Sequence, residues 1–398
     1  QIPRKKTVFF GRTNALALQT YNLKINLMKI LLAIHPSIAE NSGIGRYCDN
    51  LTKSLLKKDD LKLSFYSNLA KTKLPSFYKD GTVFSFPIKH GLVRTLFGLN
   101  YAVKRLKPDI LHVTTLAPFH KSVPTVLTVH DLCFITQKKA YSVKTLLAFS
   151  LFFARSLKNA DWIIVPSHSV ARKLSELFPE TSAKTSVISE AADPIFSPIK
   201  DKAQVKKYLA SNLGIDKPYF LVVGNIEKRK SPFEILKAFQ KLLARQKNTC
   251  LVFAGTDKLG GVIQTKYTNL IKEGYLKILK YTKDQDLNIL YNGAQASISF
   301  SVCEGFGLPI LEAMKCGTPV VCRDIPVFRE IAGDSVLFCK NTTELYSTML
   351  RISKDLFLRK KLANQGFKRN RLFSWDKAAG ETYEVYKKVL SADSGLEG

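Results

Sequence analysis

The sequence lacks the features that define several protein classes. Its 7 cysteines among 398 residues form no CxxC pair and no Cys/His cluster with the spacing of zinc ligands. We therefore expect reduced thiols, as in a cytosolic compartment, and no structural zinc site. The longest apolar stretch, residues 145–154, covers only half of the roughly 20 residues that a membrane-spanning helix needs. The sequence thus predicts no transmembrane helix.

Acidic residues are scarce relative to basic ones. The chain has 32 Asp and Glu against 61 Lys and Arg, which gives a formal net charge of +29. Such an excess of basic residues either keeps the surface solvated or suits an anionic partner. The charge alone does not indicate whether that partner is a nucleic acid, a membrane face or a small anionic substrate. Because no basic stripe interleaved with aromatic residues and no nucleic-acid reader motif is visible, we expect no nucleic-acid partner.

The composition is that of a protein with a large core. Hydrophobic residues make up 45% of the chain, and at roughly 150 residues per domain the length suggests two or three domains. Short apolar runs alternate with segments of helical periodicity, which predicts parallel βαβ units. The predicted strands form two series: 29–34, 62–67, 82–88, 109–114, 125–130, 161–166 and 185–190, then 219–224, 250–255, 276–281, 296–300, 318–322 and 335–339.

The two series predict two doubly wound sheets in tandem. We expect the first domain at residues 28–195, a linker rich in proline and charge at 196–217, the second domain at 218–372 and a closing segment at 373–398. Residues 1–27 contain basic residues but no acid, and we expect them to be an appendage outside the fold. Ligands of doubly wound sheets bind beyond the carboxyl ends of the strands, so the predicted site is the cleft between the halves.

The segment EGFGLPILEAM, residues 304–314, combines a glycine turn with a helix start after a predicted strand. Pro309 suits the first helical turn, where its missing N–H costs nothing. Backbone amides before a helix N-terminus attract phosphate, whereas the carboxylates of Glu304 and Glu312 would accept hydrogen bonds from sugar or ribose hydroxyls. Such turns are also ordinary helix-entry devices. The amides expected at the phosphate are those of Phe306, Gly307 and Leu308.

A basic pair marks a second segment, residues 224–239, which begins with Gly224 at the end of a predicted strand. Arg229 and Lys230 directly precede a predicted helix, where the helix dipole disfavours cations unless an anion lies between. A diphosphate would satisfy both charges, with Arg229 as a bidentate donor and Lys230 as a point charge. The alternative is a pair of solvated surface cations.

The same segment also predicts how its helix begins and which face it buries. Ser231 and Glu234 have the spacing of a capping box, with Pro232 at the first helical position. Apolar residues recur at helical spacing and predict a buried face of Ile235, Leu236, Phe239, Leu242 and Leu243.

Two further candidate features lie in the first domain. Gly43, Gly45 and Arg46 follow the first predicted strand, and glycines there let the backbone approach a ligand. The third glycine of a dinucleotide fingerprint is absent, so an NAD site is not expected. His130 ends the predicted strand 125–130 and would point into the cleft, although a lone histidine is as readily structural.

The string EGFGLPILEAMKCGTPVV, residues 304–321, resembles the E-x7-E signature of the retaining GT-B glycosyltransferases of family four. The resemblance extends from Met28 to about Leu390 and includes a closing helix within 373–390. It implies an α/β fold of the GT-B type, in which two Rossmann-like domains face a central cleft and the closing helix crosses back to the first domain.

The resemblance also implies roles for the candidate residues. Arg229 and Lys230 would neutralise the departing diphosphate, Glu304 would bind sugar hydroxyls and Glu312 the ribose. His130 would contact the transferred sugar. The glycine loop would touch the donor diphosphate or close over the acceptor, and Arg46 would add charge there.

The expected function is that of a retaining hexosyltransferase. It would move mannose or a similar hexose from a nucleotide-diphosphate sugar to a saccharide or lipid-linked saccharide, as in surface polysaccharide assembly. We expect no cofactor, no metal ion and no covalent nucleophile. A sugar-nucleotide epimerase and a non-catalytic nucleotide-sugar binder remain alternatives, because both would share the architecture and the phosphate contacts.

The positive net charge also bears on where in the cell the protein is expected. Basic surfaces are attracted to anionic lipids, so we expect a cytoplasmic protein with peripheral contact to the inner face of the membrane.

Overall fold

The computed structural model describes residues 27–34, 43–85, 97–118, 120–137, 152–280 and 282–393. Most of the segment expected to be an appendage, residues 1–26, lies outside them. The described chain forms two parallel sheets, each flanked by helices. This architecture confirms the expected fold class of two Rossmann-like α/β domains.

The first sheet has seven strands in the order β3-β2-β1-β4-β5-β6-β7, and every pairing is parallel. Strands at the centre of a sheet covered on both faces are apolar throughout, which is why the short runs could be read from the sequence. All seven predicted strands of this half are confirmed, with ends shifted by a few residues. They are β1 (Met28–Ala33), β2 (Leu61–Ser67), β3 (Thr82–Ser85), β4 (Ile110–Val113), β5 (Thr125–Thr128), β6 (Trp162–Val165) and β7 (Thr185–Val187).

The second sheet has six parallel strands in the order β10-β9-β8-β11-β12-β13. Strands β9 and β10 lie on one side of β8, and strands β11, β12 and β13 lie on its other side. The chain therefore changes direction across the sheet at β8, and doubly wound sheets bind ligands at such a switch point. The six predicted strands of this half are also confirmed. They are β8 (Tyr219–Val223), β9 (Cys250–Ala254), β10 (Leu276–Leu279), β11 (Ala296–Ser299), β12 (Val320–Arg323) and β13 (Leu337–Cys339).

Helices connect the strands and cover both sheets, and residues 152–159 are helical as well. In the first half they are α1 (Gly43–Leu55), α2 (Leu99–Leu106), α3 (Cys133–Thr136) and α4 (His168–Leu177). The remainder are α5 (Lys202–Leu213), α6 (Pro232–Arg245), α7 (Val262–Lys266), α8 (Thr268–Lys272), α9 (Asp284–Gly293), α10 (Leu308–Lys315), α11 (Pro326–Ala332), α12 (Thr342–Lys354), α13 (Leu356–Asn370) and α14 (Trp375–Asp393).

The segment expected to be a linker contains helix α5. The Asp201 side chain caps its N-terminus by accepting from the Gln204 N–H at 2.9 Å, and Gly214 ends it in the left-handed conformation. Val205 and Leu209 are buried against α9. The stretch is therefore an ordered part of the second half rather than an extended connection.

The predicted capping box at α6 is wrong. Ser231 has a φ of 51° and its side chain caps no backbone amide. Glu234 instead pairs with Arg323 on β12 at 2.5 Å. The tertiary ion pair thus replaces the local hydrogen bond. The other features of this helix are confirmed: Pro232 is its first residue, and the buried face consists of Ile235, Leu236, Phe239, Leu242 and Leu243.

The expectation that all thiols are reduced is also wrong. Cys133 on α3 and Cys303 after β11 form a disulfide, with their Cα atoms 5.8 Å apart. The two residues are 170 positions apart in sequence, so no local pattern pairs them. The bond joins the two halves next to Glu304, whereas the other five cysteines are buried and form no disulfide.

A second contact between the halves lies at the N-terminus of α4. Glu330 on α11 accepts the His168 N–H at 2.6 Å and the Ser169 N–H at 2.8 Å. An acidic side chain suits the positive end of a helix dipole. A residue of the second half therefore caps a helix of the first.

The last helix returns to the first half, as the resemblance implied. Helix α14 packs against α1 and β6, and Trp375, Ala379 and Tyr386 are buried there. The Tyr386 hydroxyl lies 2.7 Å from His112 Nδ1, whose Nε2 lies 2.8 Å from the Thr128 hydroxyl. Burial lowers the pKa of His112 to about 3, so the imidazole is neutral and completes a buried hydrogen-bond chain.

We predict that Tyr386→Phe destabilises the first half by about 1–3 kcal/mol, because it leaves His112 Nδ1 buried without a partner. Urea unfolding followed by fluorescence measures the loss. The control is Tyr383→Phe on the same helix, whose hydroxyl bonds Asp60 at a partly exposed position. An equal or larger loss in the control would contradict the proposed contribution of the buried chain.

Candidate functional site

The carboxyl ends of the two sheets face a common cavity of about 330 Å³. Its walls come from loops that follow strands and from the helices that come after those loops, as expected for parallel sheets. The cavity lies where the sequence predicted the site, and eleven of the twelve candidate residues line it: Gly43, Arg46, His130, Gly224, Arg229, Lys230, Glu304, Phe306, Gly307, Leu308 and Glu312.

The exception is Gly45. The predicted glycine loop continues as the first turn of α1, which begins at Gly43, and Gly45 is buried within that turn. The residues before it, 35–42, lie outside the described part of the chain. A loop contact through Gly45 is therefore not supported, while Gly43 does reach the cavity wall.

Arg46 contacts carboxylates of the second half. Its Nη2 lies 2.5 Å from Asp284 Oδ1, its Nε lies 3.7 Å from Glu312 Oε1, and its guanidinium lies over the Phe196 ring. Burial opposes the charge of Arg46, but Glu312 and Asp284 outweigh it and raise the pKa of the guanidinium. Arg46 thus joins the two halves across the cleft.

Glu312 lies at the fifth position of α10, in its second turn. The side chain is buried and its Oε2 accepts the Tyr291 hydroxyl at 2.7 Å. Burial raises the pKa of Glu312 above its usual value, with Arg46 opposing the shift. Each carboxylate oxygen can accept a further hydrogen bond, so a ligand hydroxyl can still bind here.

Arg229 is engaged by protein groups on several sides. Its Nη1 lies 2.8 Å from Glu304 Oε2 and donates to the Cys303 carbonyl at 3.1 Å, while Nη2 lies 2.8 Å from Glu227 Oε1. Burial opposes its charge, but Glu304 and Glu227 raise the pKa of the guanidinium. Arg229 therefore holds Glu304 in place in addition to supplying positive charge.

Lys230 and Glu304 complete this polar group. Burial lowers the pKa of Lys230, and its Nζ lies so close to Gly224 that a Cβ there would come within 2.2 Å of it. Burial alone would raise the pKa of Glu304, but Arg229 and Lys230 hold it below its usual value, and Ser301 donates to Oε1 at 2.8 Å. Glu304 is consequently an ionised hydrogen-bond acceptor.

Helix α10 presents its N-terminus to the cavity. No side chain caps it, Gly307 at its N-cap has a φ of 123°, and Pro309 lies in its first turn. Phe306, Gly307 and Leu308 line the cavity at this point. Free amides and the positive end of the helix dipole favour an anion here, as the sequence predicted.

His130 contributes to the cavity wall from the first half. Its Nδ1 is 3.2 Å from Glu190 Oε1, and its Nε2 is buried without a hydrogen-bond partner. The protein partner of the imidazole is thus a carboxylate.

Sequence models of two families match the chain. The model described as Glycosyl transferases group 1 matches residues 207–369, and the model described as Glycosyltransferase Family 4 matches residues 41–195. The matches fall on the second and the first sheet respectively. The chain is a family 4 GT-B glycosyltransferase.

Known relatives agree with this assignment. This glycosyltransferase is 27% identical to the O-antigen chain mannosyltransferase B of Escherichia coli over 387 residues, which cover 90% of this chain and 100% of the relative. Its fold is similar to that of sucrose-phosphate synthase from Thermosynechococcus elongatus, with a TM-score of 0.71, 19% identity and coverage of 92% and 100%. It is also similar to Anabaena HepE in complex with UDP and glucose, with a TM-score of 0.70, 17% identity and coverage of 91% and 100%.

The sequence contains one pair of acids that the expectation of metal independence overlooked, Asp284 and Asp286 in an Asp-x-Asp arrangement. Both are on α9 of the glycosyltransferase, but Asp284 pairs with Arg46 and Asp286 accepts the Tyr208 hydroxyl. Among the described residues no group of three His, Cys, Asp or Glu side chains could hold a metal ion.

Several residues of the site were missed by sequence analysis. Glu190 follows β7 and pairs with His130, while Tyr291 and Asp284 on α9 contact Glu312 and Arg46. Single polar residues of this kind form no motif. Glu190 alone had a usable signal, since it is the last residue of the predicted parallel strand 185–190. In the described part of the enzyme, no helix is long and apolar enough to cross a membrane.

Close packing across the cleft makes Gly305 a sensitive position of this glycosyltransferase. A Cβ at Gly305 would lie 1.7 Å from the His130 carbonyl oxygen, and the Ser167 hydroxyl donates to the Gly305 carbonyl at 2.8 Å. We predict that Gly305→Ala separates the two halves and increases the radius of gyration measured by small-angle X-ray scattering.

The matched control for this change is Gly380→Ala on α14, where an added Cβ meets nothing within 4 Å. It should leave the radius of gyration unchanged, and a gain in stability of up to about 1 kcal/mol is expected from helix propensity. Identical scattering of the Gly305→Ala variant and the wild type would show that the contact does not restrict closure.

Proposed function

We propose that this glycosyltransferase moves a hexose, mannose or a close relative, from a nucleoside-diphosphate sugar to a saccharide or lipid-linked saccharide acceptor with retention at the anomeric carbon. The observation that carries the proposal is one cavity in which Lys230 and Arg229 face the uncapped N-terminus of α10. These are two independent sources of positive potential for one diphosphate. Mannose is supported by the name of the E. coli relative, and a nucleoside diphosphate by the UDP in the HepE complex.

The leaving diphosphate would receive most of the stabilisation. Cleavage of the sugar–phosphate bond develops negative charge on the diphosphate and positive charge on the sugar ring. Lys230, Arg229 and the amides of Phe306, Gly307 and Leu308 would stabilise the former. Arg229 is also paired with Glu304. How strongly Arg229 stabilises the charge on the diphosphate therefore depends on how much of that ion pair persists when the diphosphate is bound.

The remaining polar groups would orient the donor. Glu304 is an ionised acceptor for sugar hydroxyls, and Glu312 would accept from the ribose. His130 would contact the transferred sugar through Nε2. We assign no residue as a covalent nucleophile, and the acceptor would attack from the face that the diphosphate leaves, giving its proton to a donor phosphate oxygen. The reaction would need neither metal ion nor cofactor.

We predict that the melting temperature of the protein rises with one nucleoside diphosphate, and with its hexose conjugate, in a series of UDP, GDP and ADP. Lys230→Ala and Glu312→Ala should lose most of this shift, since they remove the diphosphate and ribose contacts. Lys237→Ala, an exposed cation on α6, is the matched control. A wild-type protein that responds to no nucleotide would contradict the proposal.

Product analysis separates the proposed reaction from its alternatives. With a mannose-terminated saccharide, NMR of the product should show the donor's anomeric configuration. Conversion of the donor to an epimer without acceptor would identify an epimerase instead, and nucleotide binding without any product would identify a binder. A glycosylated peptide in a mass spectrum would overturn the absence of a covalent nucleophile.

We also propose that the enzyme binds the anionic face of a membrane, where a lipid-linked acceptor would lie. Near α2, Phe97 and Tyr101 are 66% and 56% exposed, and Lys104 and Arg105 are exposed one turn further along. Aromatic and basic side chains together suit a lipid interface. This role in surface polysaccharide assembly is supported by the O-antigen relative.

We predict that the protein floats with vesicles containing anionic lipid at low salt and that Lys104→Glu/Arg105→Glu reduces the bound fraction several-fold. The control, Lys360→Glu/Lys361→Glu on α13, changes the same net charge elsewhere. Equal loss in both variants would show that only total charge matters, and no flotation of the wild type would exclude the membrane contact.

A further inference from the structure

His130 is held from two sides by residues of the first half. Glu190 follows β7 and His130 follows β5, so both lie at the carboxyl edge of the same sheet. Glu190 Oε1 lies 3.2 Å from Nδ1 of His130, within hydrogen-bond distance. Glu190 is only 5% exposed, and a buried carboxylate needs such a partner.

The second constraint on the imidazole is Tyr47. Its ring meets that of His130 edge-on, with centroids 4.7 Å apart and an angle of 83° between the planes. The Tyr47 hydroxyl lies 3.1 Å from that of Thr128, which in turn contacts His112. Tyr47 is therefore fixed by the buried hydrogen-bond chain that ends at α14, and it restricts rotation of the His130 ring.

The third side of the imidazole has no protein partner. His130 lines the cavity, and its Nε2 is buried without a hydrogen bond. Most buried polar atoms are hydrogen-bonded, and exceptions commonly mark a place where a ligand binds. If Nδ1 carries the proton and donates it to Glu190, Nε2 is a hydrogen-bond acceptor, and the ligand group that suits it is a hydroxyl.

We propose that Glu190 is a positioning residue for His130: by accepting the Nδ1–H, it directs Nε2 toward a hydroxyl of the transferred sugar. The identity of that hydroxyl-bearing ligand rests on the proposed function. The hydrogen bond between Glu190 and His130 does not, and the two parts are tested separately.

The hydrogen bond is tested by the nitrogen shifts of His130 in protein labelled with ¹⁵N-histidine. His130→Gln assigns the signals, and His112 serves as an internal reference because it is buried and neutral. We expect Nδ1 of His130 to carry a proton in the wild type and in Glu190→Gln, whose amide oxygen can still accept. In Glu190→Ala this preference should be lost. An unprotonated Nδ1 in the wild type would overturn the proposal, whether or not the protein binds nucleotides.

The functional part is tested by comparing the affinity for a nucleotide sugar with that for the same nucleoside diphosphate. The probes are UDP, GDP, UDP-glucose and GDP-mannose. Glu190→Ala should weaken binding of the sugar conjugate about tenfold, as expected for one lost hydrogen bond, and leave the diphosphate unaffected. Glu190→Gln should restore the difference. The control is Glu180→Ala, which removes an exposed carboxylate that precedes β7 in sequence.

The outcomes are distinguishable. If the wild type binds no nucleotide, the proposed function fails while the nitrogen shifts still decide the role of Glu190. If the wild type binds but Glu190→Ala keeps the full sugar-dependent gain, Glu190 does not position His130 for the sugar. Should Glu190→Ala not fold, the wild-type shifts and the affinities of Glu190→Gln, which must then match the wild type, decide the question.

Discussion

Compensation of charge among buried and partly buried side chains of the cleft governs the arrangement of this enzyme. Arg229 is matched by Glu304 and Glu227, and Arg46 by Asp284 and Glu312. A carboxylate or a guanidinium group is not stable when it is buried alone. Because the paired residues follow different strands, these ion pairs fix the positions of the loops that carry them. An incoming diphosphate would meet Lys230 and the uncapped N-terminus of α10, but would compete with Glu304 and Glu227 for Arg229.

The same pairing explains how the two halves contact each other. Arg46 and Gly305 face groups of the opposite half, and Glu330 caps a helix across the gap. Several of the residues proposed to bind the donor are consequently also interdomain contacts. Binding of the donor and the relative position of the halves should therefore be coupled energetically, since a change in either alters the same interactions.

The sequence was sufficient for the fold and for the residues carried by local patterns. Buried parallel strands are short apolar runs, and a glycine turn before a helix places residues 304–314 at a ligand site. What could not be predicted depends on residues distant in sequence. Glu234 forms an ion pair with Arg323 instead of the expected helix cap, and Cys303 forms a disulfide with Cys133 of the other half. Glu190 contacts His130 only because the fold brings the ends of β7 and β5 together.

Helix α14 has a consequence for the biosynthesis of the protein. His112 and Tyr386 are 274 residues apart, so the first half emerges from the ribosome long before its last helix exists. Until then, His112 Nδ1 lacks its tyrosine and the face of α1 that receives Trp375 and Ala379 is uncovered. The half that is translated first should be the last to resist proteases, and the ribosome-bound chain will expose this apolar surface to chaperones until α14 has been translated.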